Sequence, residues 1–121
     1  MTFTLNDDAR MLKETARDFF REQAPVSRLR KLRDGKKNGR DPELWREMSG
    51  LGFAGVIVPE EFGGSGLGYV ALGAVLEEAG RTLVSSPLHS SACAGASALM
   101  LAGTDAQKTE WLPKIASGEA I

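Results

Sequence analysis

Apolar residues recur at helical spacing along most of this chain. At its beginning they fall at every third or fourth position, which predicts an amphipathic helix over residues 5–23. Thr4, with Asp7 three positions on, has the form of a capping box, so we expect Thr4 to cap this helix. Pro25 should end it, because a proline inside a helix loses a hydrogen bond and clashes with the preceding turn.

Two shorter helices and a buried segment are predicted next. Residues 26–34 carry one apolar side and should form the second helix. Asp41 and Pro42 resemble an N-cap and a first helical position, so a third helix should run to about Ser49. Residues 53–58 are apolar and too few for a helix, and we expect them to be extended and buried.

Three more helices are predicted after a glycine-rich loop at residues 63–68. The fourth should bury one apolar face, and the fifth should begin at Ser86 and Pro87 and run to about Ala102. Thr104 and Gln107 form a capping box for the sixth. The inward residues should be Leu72, Val75, Leu76, Ala79 and Leu83 in the fourth helix, and Trp111, Leu112 and Ile115 in the sixth.

Six helices without an alternating strand pattern predict an all-α fold, an orthogonal bundle of about six helices. A chain of 121 residues is long enough for one domain with a sizeable core, so residues 1–121 are expected to form a single domain.

Charge and cysteine content exclude several kinds of partner and site. The formal net charge of −1 gives the chain as a whole no attraction for nucleic acid or an anionic membrane. Cys93 is the single cysteine, which excludes an intramolecular disulfide and a cysteine zinc cluster. No apolar run is long enough to span a membrane, and the N-terminus does not resemble a secretory signal. We therefore expect a cytoplasmic protein.

The glycine-rich loop has two interpretations. Glycines allow positive φ angles and close approach of another backbone, which favours a structural turn. Backbone amides ahead of a helix can also bind phosphate, but Glu60 and Glu61 would repel it, and the spacing matches no nucleotide-binding fingerprint. A structural turn against a neighbouring domain is the favoured interpretation.

A run of small residues over 90–98 makes the fifth helix unusual. It favours close helix packing, and it could also form one wall of a pocket for a long, thin apolar ligand. Glu77 and Glu78 are adjacent on a helix and point about 100° apart, so solvated surface is favoured over an acid–base pair. His89 is the single histidine and has no partner for a metal site in the nearby sequence.

The basic residues concentrate between positions 28 and 40. No aromatic residue lies among them, so a solvated surface is favoured over nucleic-acid binding, which stays open as an alternative. They are Arg28, Arg30, Lys31, Arg33, Lys36, Lys37 and Arg40.

Three stretches together carry a resemblance to a known family. They are Pro59–Gly66, Leu76–Arg81 and Ala102–Glu119. In this order and spacing the chain resembles the N-terminal α-helical domain of the acyl-CoA dehydrogenases over essentially its whole length. Phe62 stands where many members of that family have tyrosine.

The resemblance implies a flavoenzyme that removes hydrogen from Cα and Cβ of an acyl-CoA thioester. It implies FAD as cofactor, electron-transferring flavoprotein as electron acceptor, and a homo- or hetero-oligomer. The family's catalytic base and most FAD contacts belong to later domains, so no catalytic residue is expected here, and this chain alone should be inactive.

The resemblance also implies an acyl pocket lined by the start of the fifth helix and the turn before it. The residues expected to contact substrate are Val84, Ser85, Ser86, Leu88, His89 and Ala92. A standalone helical module without catalytic activity, acting as a partner or scaffold, is an alternative to the enzyme.

Overall fold

Helices make up the regular structure of the chain in a computed structural model that describes residues 4–35 and 38–121. No strand occurs within these described ranges, and the prediction of an all-α bundle is confirmed. The α-helices are α1 (Asp7–Gln23), α2 (Val26–Asp34), α3 (Pro42–Gly50), α4 (Gly68–Arg81), α5 (Ala96–Ala102) and α6 (Asp105–Ala116).

The cap of α1 differs from the sequence prediction. Asn6, and not Thr4, is the N-cap, and its Oδ1 accepts a hydrogen bond of 2.8 Å from the amide of Ala9. Asparagine is among the strongest N-cap residues, so the helix begins two residues later than the capping-box pattern predicts. The predicted end before Pro25 is confirmed.

The second and third helices follow the sequence prediction closely. Asp41 caps α3 by accepting a hydrogen bond of 3.2 Å from the amide of Leu44. Arg28 of α2 donates to the same carboxylate, with 2.9 Å between its Nη2 and Oδ1 of Asp41. This pair fixes the approach of α2 to the beginning of α3.

Residues 53–58 are buried as predicted, but they are not extended. Phe53–Gly55 form a turn of 3₁₀-helix, which follows a left-handed residue at Gly52 with φ of 86°. A short segment can curl in this way where no strand among the described residues pairs with it. Phe53 packs against Phe19 and Phe20 of α1, with ring centroids 5.9 Å and 5.6 Å apart, and this cluster ties the segment to α1.

The glycine-rich loop folds back onto this buried segment. Three of its backbone amides, those of Ser65, Gly66 and Leu67, donate to backbone carbonyls of residues 55–58 at 2.8–2.9 Å. Gly64 lies so close to Val58 that a Cβ atom there would stand 2.0 Å from the Val58 carbonyl oxygen. The loop is therefore a structural turn against its own chain.

The most extensive helix pairing in the described structure joins α1 to α4. Buried alanines face the pairing from both helices, and beside them lies the carboxylate of Glu78, which is only 1% exposed. Glu78 accepts from Arg17 of α1 at 3.1 Å and pairs with Arg81 of α4 at 3.2 Å. The interpretation of Glu78 as solvated surface is wrong, because cations from both helices take the place of water around it.

Glu77 differs from its neighbour because it is half exposed. Its Oε2 accepts a hydrogen bond of 3.0 Å from Nζ of Lys13, and this bond lowers the pKa of the Glu77 carboxyl below its ordinary value. The pair therefore contributes stability above the ordinary carboxyl range and loses it as the pH falls through the lowered pKa.

The segment after α4 is not one continuous α-helix. Leu88–Gly95 are wound as a π-helix, and only Ala96–Ala102 form the regular α5. The small side chains of this run allow the wider winding to pack closely against its neighbours, with Ala92 and Ala96 fully buried.

The last helix, α6, has the predicted capping box. The hydroxyl of Thr104 accepts from the amide of Gln107 at 3.2 Å, and the Gln107 side chain accepts from the amide of Thr104 at 2.9 Å. Leu112 and Ile115 are buried as predicted, but Trp111 is 42% exposed with Nζ of Lys114 4.8 Å from its ring centroid. Trp111 lies beside the buried face formed by residues 112, 115 and 116, so its inward prediction is wrong.

We predict that Gly64→Ala lowers the free energy of unfolding by about 3 kcal/mol or more, because the new Cβ would overlap the Val58 carbonyl and force the loop away from residues 53–58. The matched control is Gly73→Ala in α4, where an added Cβ meets no atom within 4 Å and a helix-favouring residue should stabilise by about 0.5–1 kcal/mol. Urea unfolding followed by circular dichroism measures both. Equal stability of the two variants would contradict this account of the loop.

We predict that Glu78→Gln lowers the free energy of unfolding by about 1–3 kcal/mol, since the buried position keeps its shape but loses charge-assisted hydrogen bonds to α1. Glu77→Gln is the control and should cost much less than Glu78→Gln, because the Glu77 side chain is half exposed and solvent screens its ion pair. Denaturant titration of both variants tests this difference. If the Glu77 variant were as unstable as the Glu78 variant, the claim that the buried carboxylate contributes more to stability than the exposed one would be contradicted.

Candidate functional site

An open depression of about 180 Å³ lies at the C-terminal end of α4. Three short pieces of chain meet there: the last turns of α4, the turn that follows it and the beginning of the π-helix. The lining of the depression is mainly apolar and includes one serine and one histidine. It is lined by Leu76, Ala79, Gly80, Leu83, Val84, Ser86, Leu88 and His89.

The turn after α4 has the hydrogen bonds of a Schellman motif. The amide of Val84 donates to the carbonyl of Ala79 at 3.0 Å, and the amide of Leu83 donates to the carbonyl of Gly80 at 3.3 Å. This motif requires a left-handed residue, usually glycine, at the position that Leu83 occupies with φ of 56°. Leu83 therefore lies outside α4, and its predicted inward position in that helix is wrong.

Four of the residues predicted to contact substrate come together at the depression. Val84 and Ser86 line it from the turn, and Leu88 and His89 line it from the first turn of the π-helix. The exposed ring of His89 lies on this wall and belongs to no cluster of metal-ligating side chains among the described residues.

The remaining two predicted residues lie elsewhere. The hydroxyl of Ser85 donates to the carbonyl of Gly39 at 3.1 Å, and Ser85 borders a separate, much smaller depression between α2 and the turn. Ala92 is 0% exposed and does not line the larger depression. A contact of either residue with a ligand would be indirect.

Sequence reasoning missed four lining residues, namely Leu76, Ala79, Gly80 and Leu83. The first two carry the helical periodicity of a core face, so nothing in the pattern distinguishes a half-covered wall from full burial. Leu83 gave no signal because the left-handed position that it occupies is usually recognised in a sequence by a glycine. Gly80 precedes that turn and resembles an ordinary helix-terminal residue.

The glycine-rich loop does not offer a phosphate cradle. The amides of Gly63 and Gly64 donate to the carbonyls of Glu60 and Pro59, and those of residues 65–67 donate to the buried segment. Since these amides already have backbone acceptors, they cannot also converge on an anion. The described residues therefore do not fit the pyrophosphate of a dinucleotide at this loop.

The basic stretch is partly neutralised by neighbouring acids. Arg28 is bonded to Asp41, which raises the pKa of its guanidinium, and Arg33 is bonded to Asp34 at 2.8 Å. Lys36 and Lys37, which contribute to the predicted cluster, lie outside the described residues. The geometry gives nucleic-acid binding no further support. No helix in the described ranges is long and apolar enough to cross a membrane.

The profile of a family described as "Acyl-CoA dehydrogenase, N-terminal domain" matches residues 6–119 of the chain. A curated relative, mitochondrial isovaleryl-CoA dehydrogenase of Pongo abelii, is 36% identical over 122 residues, covering 97% of this chain and 28% of the relative. The chain thus spans under a third of that protein's length.

Solved structures give the same assignment. The Tcur3481–Tcur3483 steroid ACAD G363A variant has a TM-score of 0.83 and 36% identity, over 95% of this chain and 31% of that one. The ChsE4–ChsE5 complex from Mycobacterium tuberculosis has a TM-score of 0.87 and 28% identity, over 98% and 32%. An acyl-CoA dehydrogenase complexed with FAD from Bacillus anthracis has a TM-score of 0.77 and 28% identity, over 95% and 20%. Profile, relative and folds agree: this chain belongs to the acyl-CoA dehydrogenase family, with the fold of its N-terminal domain.

Proposed function

We propose that this chain is the acyl-contacting N-terminal domain of an FAD-dependent enzyme that introduces a double bond between Cα and Cβ of an acyl-CoA thioester. The observation that carries the proposal is the apolar depression at the end of α4, in a chain that belongs to this family. An apolar concavity with a few polar groups is the usual form of a site for a mainly hydrocarbon ligand.

The residues of this domain bind and orient the acyl chain in the proposed function. Leu76, Val84 and Leu88 supply apolar surface, and each methylene of an acyl chain buried against them would contribute about 0.8 kcal/mol. Ser86 and His89 provide the polar groups of the wall. Ser85 and Ala92 stay within the proposal as residues that support this wall from behind or beside it.

The chemical step would take place outside the described residues. FAD supplies the acceptor for the hydrogen that leaves the substrate. The described residues do not fit the pyrophosphate of FAD at the glycine-rich loop, so the proposal assigns most contacts to FAD, and the catalytic base, to other parts of a longer protein. No residue of this chain is proposed as catalytic, and the 121-residue chain alone should not turn over substrate.

The proposed enzyme would pass its electrons to an electron-transferring flavoprotein and work as a homo- or hetero-oligomer. A solved relative that is a complex of two named components supports the oligomeric part of this proposal. Relatives named for an isovaleryl and a steroid substrate differ widely in acyl bulk, so the proposal commits to acyl-CoA as the substrate class. A cytoplasmic location also belongs to the proposal, supported by the single free cysteine, Cys93.

A standalone, noncatalytic helical module is the second candidate function. The observation that favours it is that the domain packs on itself. The glycine-rich loop forms hydrogen bonds to residues 55–58 of the same chain, and one buried core includes residues from every described α-helix except α2. Such a domain could act as a scaffold without any flavin.

We predict that the flavin-containing protein with this domain is reduced by acyl-CoA, and that Val84→Phe lowers kcat/KM for its longest accepted acyl chain by about 10-fold or more. The larger phenylalanine ring would occupy the depression and exclude methylene groups of the acyl chain. The loss of one methylene contact in an apolar pocket lowers kcat/KM by about 10-fold or more. Anaerobic bleaching of the flavin absorbance and steady-state kinetics over a series of chain lengths measure the two effects.

Val70→Phe is the matched control, because Val70 lies in α4, is 70% exposed and is absent from the lining of the depression. It should leave the chain-length profile unchanged. A flavin that no acyl-CoA bleaches would reject the proposed function. An active enzyme whose profile is the same in both variants would instead reject the depression as the acyl site.

A further inference from the structure

Leu83 combines two unfavourable features at one position. Its φ of 56° lies in the left-handed region, which is strained for a branched L-residue and free of strain for glycine. Its side chain is also 57% exposed, although it is apolar. A glycine at the same position would remove both costs and would keep the hydrogen bonds of the turn, which are made by the backbone.

The described fold does not need the Leu83 side chain. Leu83 belongs neither to the buried core nor to the partly buried apolar residues that pack on that core. The turn is fixed by the amide bonds of Leu83 and Val84 to α4, independently of what side chain the first of them carries. A strained residue of this kind, kept without a packing role, indicates a contact with something outside the folded chain.

The position of Leu83 identifies the space in which that contact would occur. Leu83 lines the 180 Å³ depression together with residues of α4 and of the π-helix. It also borders the smaller depression on the side of Ala24, Pro25 and Leu32, so part of its surroundings is protein. Leu83 and Val84 line both depressions, so these two residues separate them and limit how far the larger one extends.

We propose that Leu83 is a specificity-determining residue, whose side chain closes one side of the depression and limits the bulk of the acyl group bound there. This inference rests on the proposed function. Its ligand is the hydrocarbon part of the acyl thioester, because five of the eight lining residues carry aliphatic side chains: Leu76, Ala79, Leu83, Val84 and Leu88. The left-handed backbone holds the leucine in place as a wall, at a position where a glycine would leave a gap.

The test compares two substrates with the same number of acyl carbons but different width. Nonanoyl-CoA is a straight chain, and 3-cyclohexylpropanoyl-CoA carries a ring. In the complete flavin-containing protein, Leu83→Ala and Leu83→Gly should both raise the ratio of kcat/KM for the ring substrate to that for the straight one by about 10-fold, the size expected for a few methylene groups of pocket space. Leu101→Ala, at an 84% exposed leucine of α5 remote from the lining, should leave the ratio unchanged.

The alanine and glycine variants distinguish the effect of the Leu83 side chain from the effect of its strained backbone. Alanine removes the wall and keeps the strained conformation, whereas glycine removes both, so a change in the glycine variant alone would overturn the proposal. A ratio within about two-fold of the wild type in both variants, in an enzyme that oxidises nonanoyl-CoA, would overturn it and leave the proposed function standing. A wild-type protein that oxidises no acyl-CoA would reject the two together.

Discussion

The buried carboxylate of Glu78 is the constraint on which the rest of the structure depends. An isolated charge in such a position would be strongly unfavourable, and it is tolerated because cations from both paired helices surround it. Lys13 and Arg17 contribute from α1, and Arg81 contributes from α4 itself. The carboxylate therefore ties the two longest helices together at one register, close to the C-terminal end of α4.

The position of α4 in turn determines the depression. Its last two turns supply one wall, and the Schellman turn that ends it directs Val84 and Ser86 towards the beginning of the π-helix. The glycine-rich loop donates hydrogen bonds to the carbonyls of Gly55, Val56 and Val58, and the Phe19–Phe53 contact links that segment back to α1. The domain thus forms the wall of the depression and the support of that wall from one chain.

Local sequence signals predicted local structure well. The caps at Asp41 and Thr104 and the proline at the end of α1 each depend on neighbours a few positions away, and each was found at its predicted place. Four of the six predicted site residues line one depression, because the turn and the first turn of the π-helix that carry them are adjacent in sequence as well as in space. The resemblance to a family supplied their proposed role, which periodicity alone could not.

Features that depend on distant residues could not be predicted. The burial of Glu78 follows from Arg17, which is 61 positions away, and the curl of residues 53–58 follows from a loop that folds back on them. The strained backbone of Leu83 could not be predicted from the sequence, because a left-handed turn is usually indicated by glycine and not by leucine. These are the places where tertiary contacts override local preference.

The most direct measurement of the central claim is size-exclusion chromatography of the natural gene product with flavin absorbance recorded in line. The account predicts a yellow peak from a polypeptide much heavier than 13.0 kDa, with this domain and FAD in the same particle. A colourless product of this length would contradict it, and would identify the domain as a helical module that has kept the family fold without the reaction.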